Sequence, residues 1–156
     1  MKSFILTAAA TALLLASCSG NSNQTSASEQ QNDSIEIVEN SILGKWNIEN
    51  VVISDSVYAR PAEITPDVDQ YISFEADSTY SIVTNCNSIN GSYILNDDSI
   101  ALNAGPATLM ACENMQVEDL IKQVLPEIST IDFENDSTLR LNTSGSKYIV
   151  LRKAAE

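Results

Sequence analysis

The chain has 156 residues, with 21 Asp or Glu against 8 Lys or Arg, a formal charge of −13, and no histidine. That balance excludes the basic face a nucleic-acid partner needs to displace counterions, and it argues against electrostatic adhesion to anionic lipid. Without histidine there is no Ser-His-Asp or Cys-His catalysis and no imidazole ligand, so no metal or other cofactor is expected.

Met1-Lys2 is a short cationic start and residues 4–16 are an apolar run. The run has the length of a signal h-region, about 7–15 residues, and falls short of the roughly 20 that span a bilayer. It closes on Leu15-Ala16-Ser17-Cys18, which looks like the bacterial lipobox. A plain signal peptide with a cysteine nearby is the alternative. In the lipobox reading residues 1–17 are a lipoprotein signal peptide, and Cys18 becomes the first mature residue, acylated on its sulfur and its amine. Two or more acyl chains anchor stably where one does not. Processing removes Lys2 and no acid, so the mature chain is one charge more negative. The expected location is the bacterial cell envelope, with the lipid as the membrane contact. Ser19 after the acylated cysteine points to the outer membrane, and either face remains open.

Residues 18–41 are Ser, Asn, Gln, Thr and acid, with no apolar periodicity before Ile35. Such a segment cannot bury enough surface to offset its ordering entropy and reads as a flexible tether. From Ile42 the composition turns to Val, Ile, Leu and Tyr, and residues 42–153 are long enough for one hydrophobic core. Short alternating runs predict strands over 44–53, 70–75, 79–84, 92–95, 99–103, 128–134, 138–142 and 147–152, with Trp46 and Ile48 on one face of the first. Residues 60–69, with Pro61 and Pro66, are expected to be a loop crossing.

An internal similarity joins these runs. The segment from Phe74 to Ile82, with Asp77-Ser78, is echoed from Phe133 to Leu141, with Asp136-Ser137, and more loosely from Leu95 to Leu102, with Asp98-Ser99. Asp and Ser side chains bond to nearby backbone N–H groups in tight turns, which predicts three β-hairpins in an antiparallel meander. The unequal spacing argues against a solenoid. One helix is predicted over 115–125: Val117, Leu120, Ile121, Val124 and Leu125 form one apolar stripe, Asn114 can cap it, and Pro126 ends it. It should lie over a barrel or sheet.

Cys86 and Cys112 are the two cysteines of the domain. In an oxidising compartment such a pair normally forms a disulfide, here closing a loop worth about 3–4 kcal/mol. A nucleophile with its resolving partner is a second reading, although CxxC spacing is missing; two unpaired thiols is a third. Acids cluster at Asp97-Asp98, Glu75/Asp77 and Asp132/Glu134/Asp136. All three clusters fall at proposed turns, none has EF-hand spacing, and nothing fixes the separation a glycosidase pair requires. The polar stretch from Asn85 to Gly91 reads as a turn in which Asn and Gly accept left-handed angles. Its functional reading is a recognition loop, with Asn85, Asn87 and Asn90 as candidate binding residues.

These residues carry a resemblance. Gly44-Lys45-Trp46, then Asn85-Cys86-Asn87 with Asn90-Gly91-Ser92-Tyr93, then Thr108-Leu109-Met110-Ala111-Cys112, then Glu118 in an amphipathic helix, together resemble the META domain, or heat-shock HslJ-like, family over about residues 42–153. Asn85 stands where the family usually has glycine. The resemblance implies a mainly β fold, a small antiparallel lipocalin-like barrel of about eight strands with one packed amphipathic helix. It also implies association with envelope stress, and it supplies no enzymatic activity to carry over to particular residues. The expected function is therefore a non-enzymatic envelope lipoprotein, a stress-related binding or interaction module whose partners are the membrane, through its lipid, and other envelope proteins. The competing expectation is a carrier holding a small apolar ligand inside the barrel; Trp46 plugging one end of a side-chain-filled barrel would oppose it.

Overall fold

A computed structural model describes residues 41–155. The expected signal peptide, the expected acylation site Cys18 and the expected tether up to residue 40 lie outside the described residues.

The described residues form nine strands: Gly44–Ser54 (β1), Val57–Ala59 (β2), Tyr71–Phe74 (β3), Thr79–Val83 (β4), Ser88–Asn96 (β5), Ser99–Ala107 (β6), Ile128–Asn135 (β7), Thr138–Thr143 (β8) and Tyr148–Lys153 (β9). A one-turn helix, Pro61–Ile64 (α1), follows β2. The longer helix, Gln116–Val124 (α2), runs into a 3-10 turn, Leu125–Glu127, ahead of β7. Every pairing is antiparallel and the sheet order is β1-β3-β4-β5-β6-β7-β8-β9. The last strand returns to the first, from Trp46↔Lys153 to Val52↔Tyr148. The expected meander therefore closes into an eight-stranded barrel, leaving β2 as a short addition on the edge of β1 beyond β3.

All three expected hairpins form, and each uses its turn chemistry slightly differently. Between β3 and β4 the Asp77 carboxylate accepts from the Thr79 hydroxyl and N–H at 2.6 and 3.0 Å, bonds that hold its pKa below the usual carboxylate range. Ser78 there has φ 65°. Between β7 and β8 the acceptor is Asn135, taking the Ser137 N–H and hydroxyl at 3.0 and 2.9 Å. Between β5 and β6, Asp97 takes the positive φ of 52°. Asp and Asn tolerate that left-handed region better than most side chains because they bond locally.

Inward positions alternate as a half-buried strand requires. In β1 they shift: Trp46 and Ile48 point inward, and then Val51 does, because the pairing with β9 slips between Ile48 and Asn50. A bulge of one residue re-aims the rest of the strand. The interior holds Trp46, Ile72, Phe74, Tyr80, Ile82, Leu139, Leu141, Ile149 and Leu151, all fully buried. Phe74 meets Tyr93 edge-on at 5.3 Å. Trp46 donates its indole N–H to Ile42 O at 2.7 Å and lies 6.1 Å from the Phe133 ring. α2 lays Val117, Leu120, Ile121 and Val124 against this core.

Several boundaries differ from expectation. Residues 60–69 are not purely a crossing: Pro61, at the first helical position where its missing N–H costs nothing, starts α1. β2 is three residues long, too short to leave a periodic signal. Ser88 to Gly91 belongs to β5, and β6 reaches Ala107. Asn114 accepts the Gln116 N–H at 3.2 Å but sits one residue ahead of the cap, which is Met115. The wall is tight except between β6 and β7, which share the bridge Ser99↔Thr130 and the bond from Ile131 N to Asp98 O at 2.8 Å.

Candidate functional site

The motif residues converge where the end of β4, the start of β5, the segment after β6 and the first turn of α2 meet. Thr84 to Asn87 is a turn closed twice, by Thr84 N to Asn87 O at 2.9 Å and by Asn87 N to the Thr84 hydroxyl at 2.9 Å. The turn places Cys86 against Cys112, with Cα atoms 6.0 Å apart, and the two form a disulfide.

Asn87 is the centre of the cluster and only 2% exposed. Its Oδ1 accepts from the Thr108 hydroxyl and from Met110 N, each at 2.8 Å. Its Nδ2 donates to Met110 O at 3.0 Å and to the Glu118 carboxylate at 3.1 Å. Those four bonds use the full capacity of the amide. Asn85 donates to Asn114 O at 2.6 Å, and its φ is not among the positive values, so asparagine in place of the family's usual glycine is unstrained there. Asn90 lies apart from the other two, exposed on β5.

Glu118 is fully buried, on the stripe that also buries Ile121 and Leu125. Burial pushes its carboxyl up. Hydrogen bonds from Lys122 at 2.5 Å, Asn87 and Thr84, with the Lys122 charge, outweigh that and hold it below the ordinary carboxylate range. A general acid at neutral pH needs the opposite shift; Glu118 is held as an anion at neutral pH inside a satisfied network. The cluster locks these segments together.

What the lock displays is apolar. Met110 is gripped at both backbone groups, while its side chain is 61% exposed and that of Leu109 88% exposed. Thr108 and Glu118 were named only within the family's motifs, and nothing in the sequence foretold that both bond to Asn87 or that Glu118 is buried. The signal for burial of Glu118 was its place three residues before Ile121 and seven before Leu125; Thr108 was marked by the motif alone.

The sequence model of the META domain matches residues 40–156. The chain belongs to the META domain family. A search of curated proteins finds no match to this META domain. Among solved structures it is similar to an NMR structure of a protein from Burkholderia xenovorans, with 16% identity over 72% of this chain and 82% of that one and a TM-score of 0.57. It is also similar to the crystal structure of a DUF4847 family protein from Bacteroides vulgatus, with 14% identity over 74% and 95% and a TM-score of 0.51. At these identities the likeness is one of fold.

Proposed function

We propose that this META domain is a non-enzymatic binding module of the bacterial envelope, anchored through lipid on Cys18 at the outer membrane and contacting other envelope proteins in a stress-related role. The observation that carries the binding part is the division of the molecule into a filled interior and a rigidly presented outside. Large side chains occupy the barrel, and the polar groups of the disulfide corner are consumed by one another. The clefts formed by described residues are open to solvent. This arrangement favours outer-surface binding over an apolar ligand carried inside. Leu109 and Met110, held out by Asn87, have the character of an interface anchor. The anchoring part rests on Leu15-Ala16-Ser17-Cys18 and the outer-membrane part on Ser19.

Three experiments test the reading. Labelling cells with a clickable palmitate analogue should mark the wild-type chain in the outer-membrane fraction and leave Cys18→Ala unmarked and released; a labelled Cys18→Ala chain refutes the anchor. Crosslinking in intact envelopes should capture a partner that Leu109→Asp loses. Turnover of a hydrolase or thiol-exchange panel by the purified protein, abolished by substitution of specific residues, would refute the non-enzymatic reading.

A further inference from the structure

The sulfur chemistry of the domain narrows to one atom. Among the described residues, sulfur is carried by Cys86, Cys112, Met110 and Met115. Both cysteines are spent in the disulfide, so neither offers a thiolate to an oxidant. Met115 is half-buried at the cap of α2, where its carbonyl accepts the Asp119 N–H at 2.8 Å. Met110 is 61% exposed and belongs neither to the core nor to the side chains packed against it.

The setting of Met110 separates its side chain from the fold. Asn87 holds the Met110 N–H and carbonyl at 2.8 and 3.0 Å. Two residues earlier the Thr108 hydroxyl bonds to the same Asn87, and two residues later Cys112 is tied to Cys86. None of these fastenings uses the thioether. A methionine packed in a core disrupts that core when it is oxidised. At Met110 oxidation changes what the surface displays and leaves the lock beneath it in place.

We propose that Met110 is a reversible oxidation site, and that its sulfoxide switches off docking at the face it shares with Leu109. The co-reactant is a two-electron oxidant, hydrogen peroxide or hypochlorous acid. With hydrogen peroxide, a lone pair of the Met110 Sδ attacks one peroxide oxygen, and the S–O bond forms as the O–O bond breaks. The sulfur gives up two electrons, and the departing hydroxide takes the proton of the transferred oxygen and leaves as water. A flexible apolar thioether becomes a polar sulfoxide, in the middle of the apolar surface that Leu109 extends. Burying that polar group against a partner shaped for the thioether is unfavourable, because its hydration is lost without a replacement bond. The inference rests on the docking reading of this face and adds its regulation; it does not depend on the anchor.

The test starts with the full-length protein in a zwitterionic detergent, treated with hydrogen peroxide. Cleavage after glutamate separates the two methionines, because Glu113 lies between them, and mass spectrometry then reads each. Met110 should oxidise roughly fivefold faster than Met115 or more, with the melting temperature unchanged. Oxidised and untreated protein are next added to envelopes and crosslinked, each chain serving as its own reference. Capture by the wild type should fall roughly fivefold or more on oxidation and return after treatment with methionine sulfoxide reductases. The ratio of capture after to capture before should not change in Met110→Leu and should fall in Met115→Leu as in the wild type. The proposal is overturned by equal oxidation of the two methionines, by a melting temperature that drops as Met110 oxidises, or by a Met110→Leu chain that loses capture on oxidation as the wild type does. Capture that persists after oxidation of Met110 sinks the switch alone. Failure of the untreated protein to capture any partner sinks the docking reading and the switch with it, so the two are told apart.

Discussion

Asn87 and Glu118 form a pair in which one neutral amide and one buried anion satisfy each other while also tying down Met110, Thr108 and Thr84. Replacing Asn87 with Ala orphans several of these groups at once and should cost about 2–3 kcal/mol, a fall in melting temperature of roughly 8–12 °C for a domain of this size. Asn87→Asp keeps the shape but faces Glu118 with a second carboxylate. It should be worse than Ala at neutral pH and approach it in acid, as one of the two protonates. The pH dependence of Glu118 itself follows from its depressed pKa. Its contribution is complete above the unfolded value of about 4.3 and is lost as the pH falls through the lower folded value. Glu118→Gln should thus show a shallower loss of melting temperature than wild type between pH 5 and the acid limit, read by thermal melts in steps of pH. The partners explain why this centre was only half legible. Cys86, Asn87, Thr108, Met110, Cys112 and Glu118 all stand in the family's motifs, whereas the bonds from Asn87 that join them span 21, 23 and 31 residues, beyond the reach of any local pattern.

The elements divide along the same line. Hairpin turns and α2 were readable because their causes are local: an Asp or Asn bonding two residues ahead, or an apolar stripe at helical spacing. The run Ser88 to Gly91 hid a strand, because its outward side faces solvent and Gly91 is covered from within by Tyr80. The disulfide and the Asn87 bonds fasten the same segment after β6 independently. Replacing both Cys86 and Cys112 with Ser should therefore remove up to about 3.5 kcal/mol in chemical denaturation yet leave the Met110 amide protected. Loss of that protection would mean that the disulfide alone holds the segment. β6 presents the opposite case. Past its bridge to β7 at Ser99, Asn103 to Ala107 are exposed, and local opening is cheapest where neighbours are fewest. Hydrogen exchange should find the amides of Ala104, Gly105 and Ala107 faster than those of β4, β8 and β9. Equal protection would show that the seam is closed in solution.

For the molecule as a whole, closure was an implication of the family resemblance rather than of residue pattern, since alternation specifies strands but not which edges meet. The barrel that results is filled. Trp46, Phe74, Tyr80 and the aliphatic side chains around them occupy the space a carried ligand would need, and interiors packed this way leave few voids larger than a water molecule. Native mass spectrometry of protein purified from its host should accordingly show the polypeptide, with the lipid proposed on Cys18, and no retained apolar molecule. A stoichiometric lipid-like adduct lost from a Trp46→Ala variant would restore the carrier reading.

The pairing of β9 with β1 has a mechanical consequence. If the chain ahead of residue 41 is tethered, as proposed, and the domain is pulled by a partner, the load enters through β1. That strand is fastened along both edges, to β3 and β2 on one side and β9 on the other. Force directed along it must shear those rungs together instead of unzipping them one by one, so the rate of forced unfolding should be low for pulling through this end.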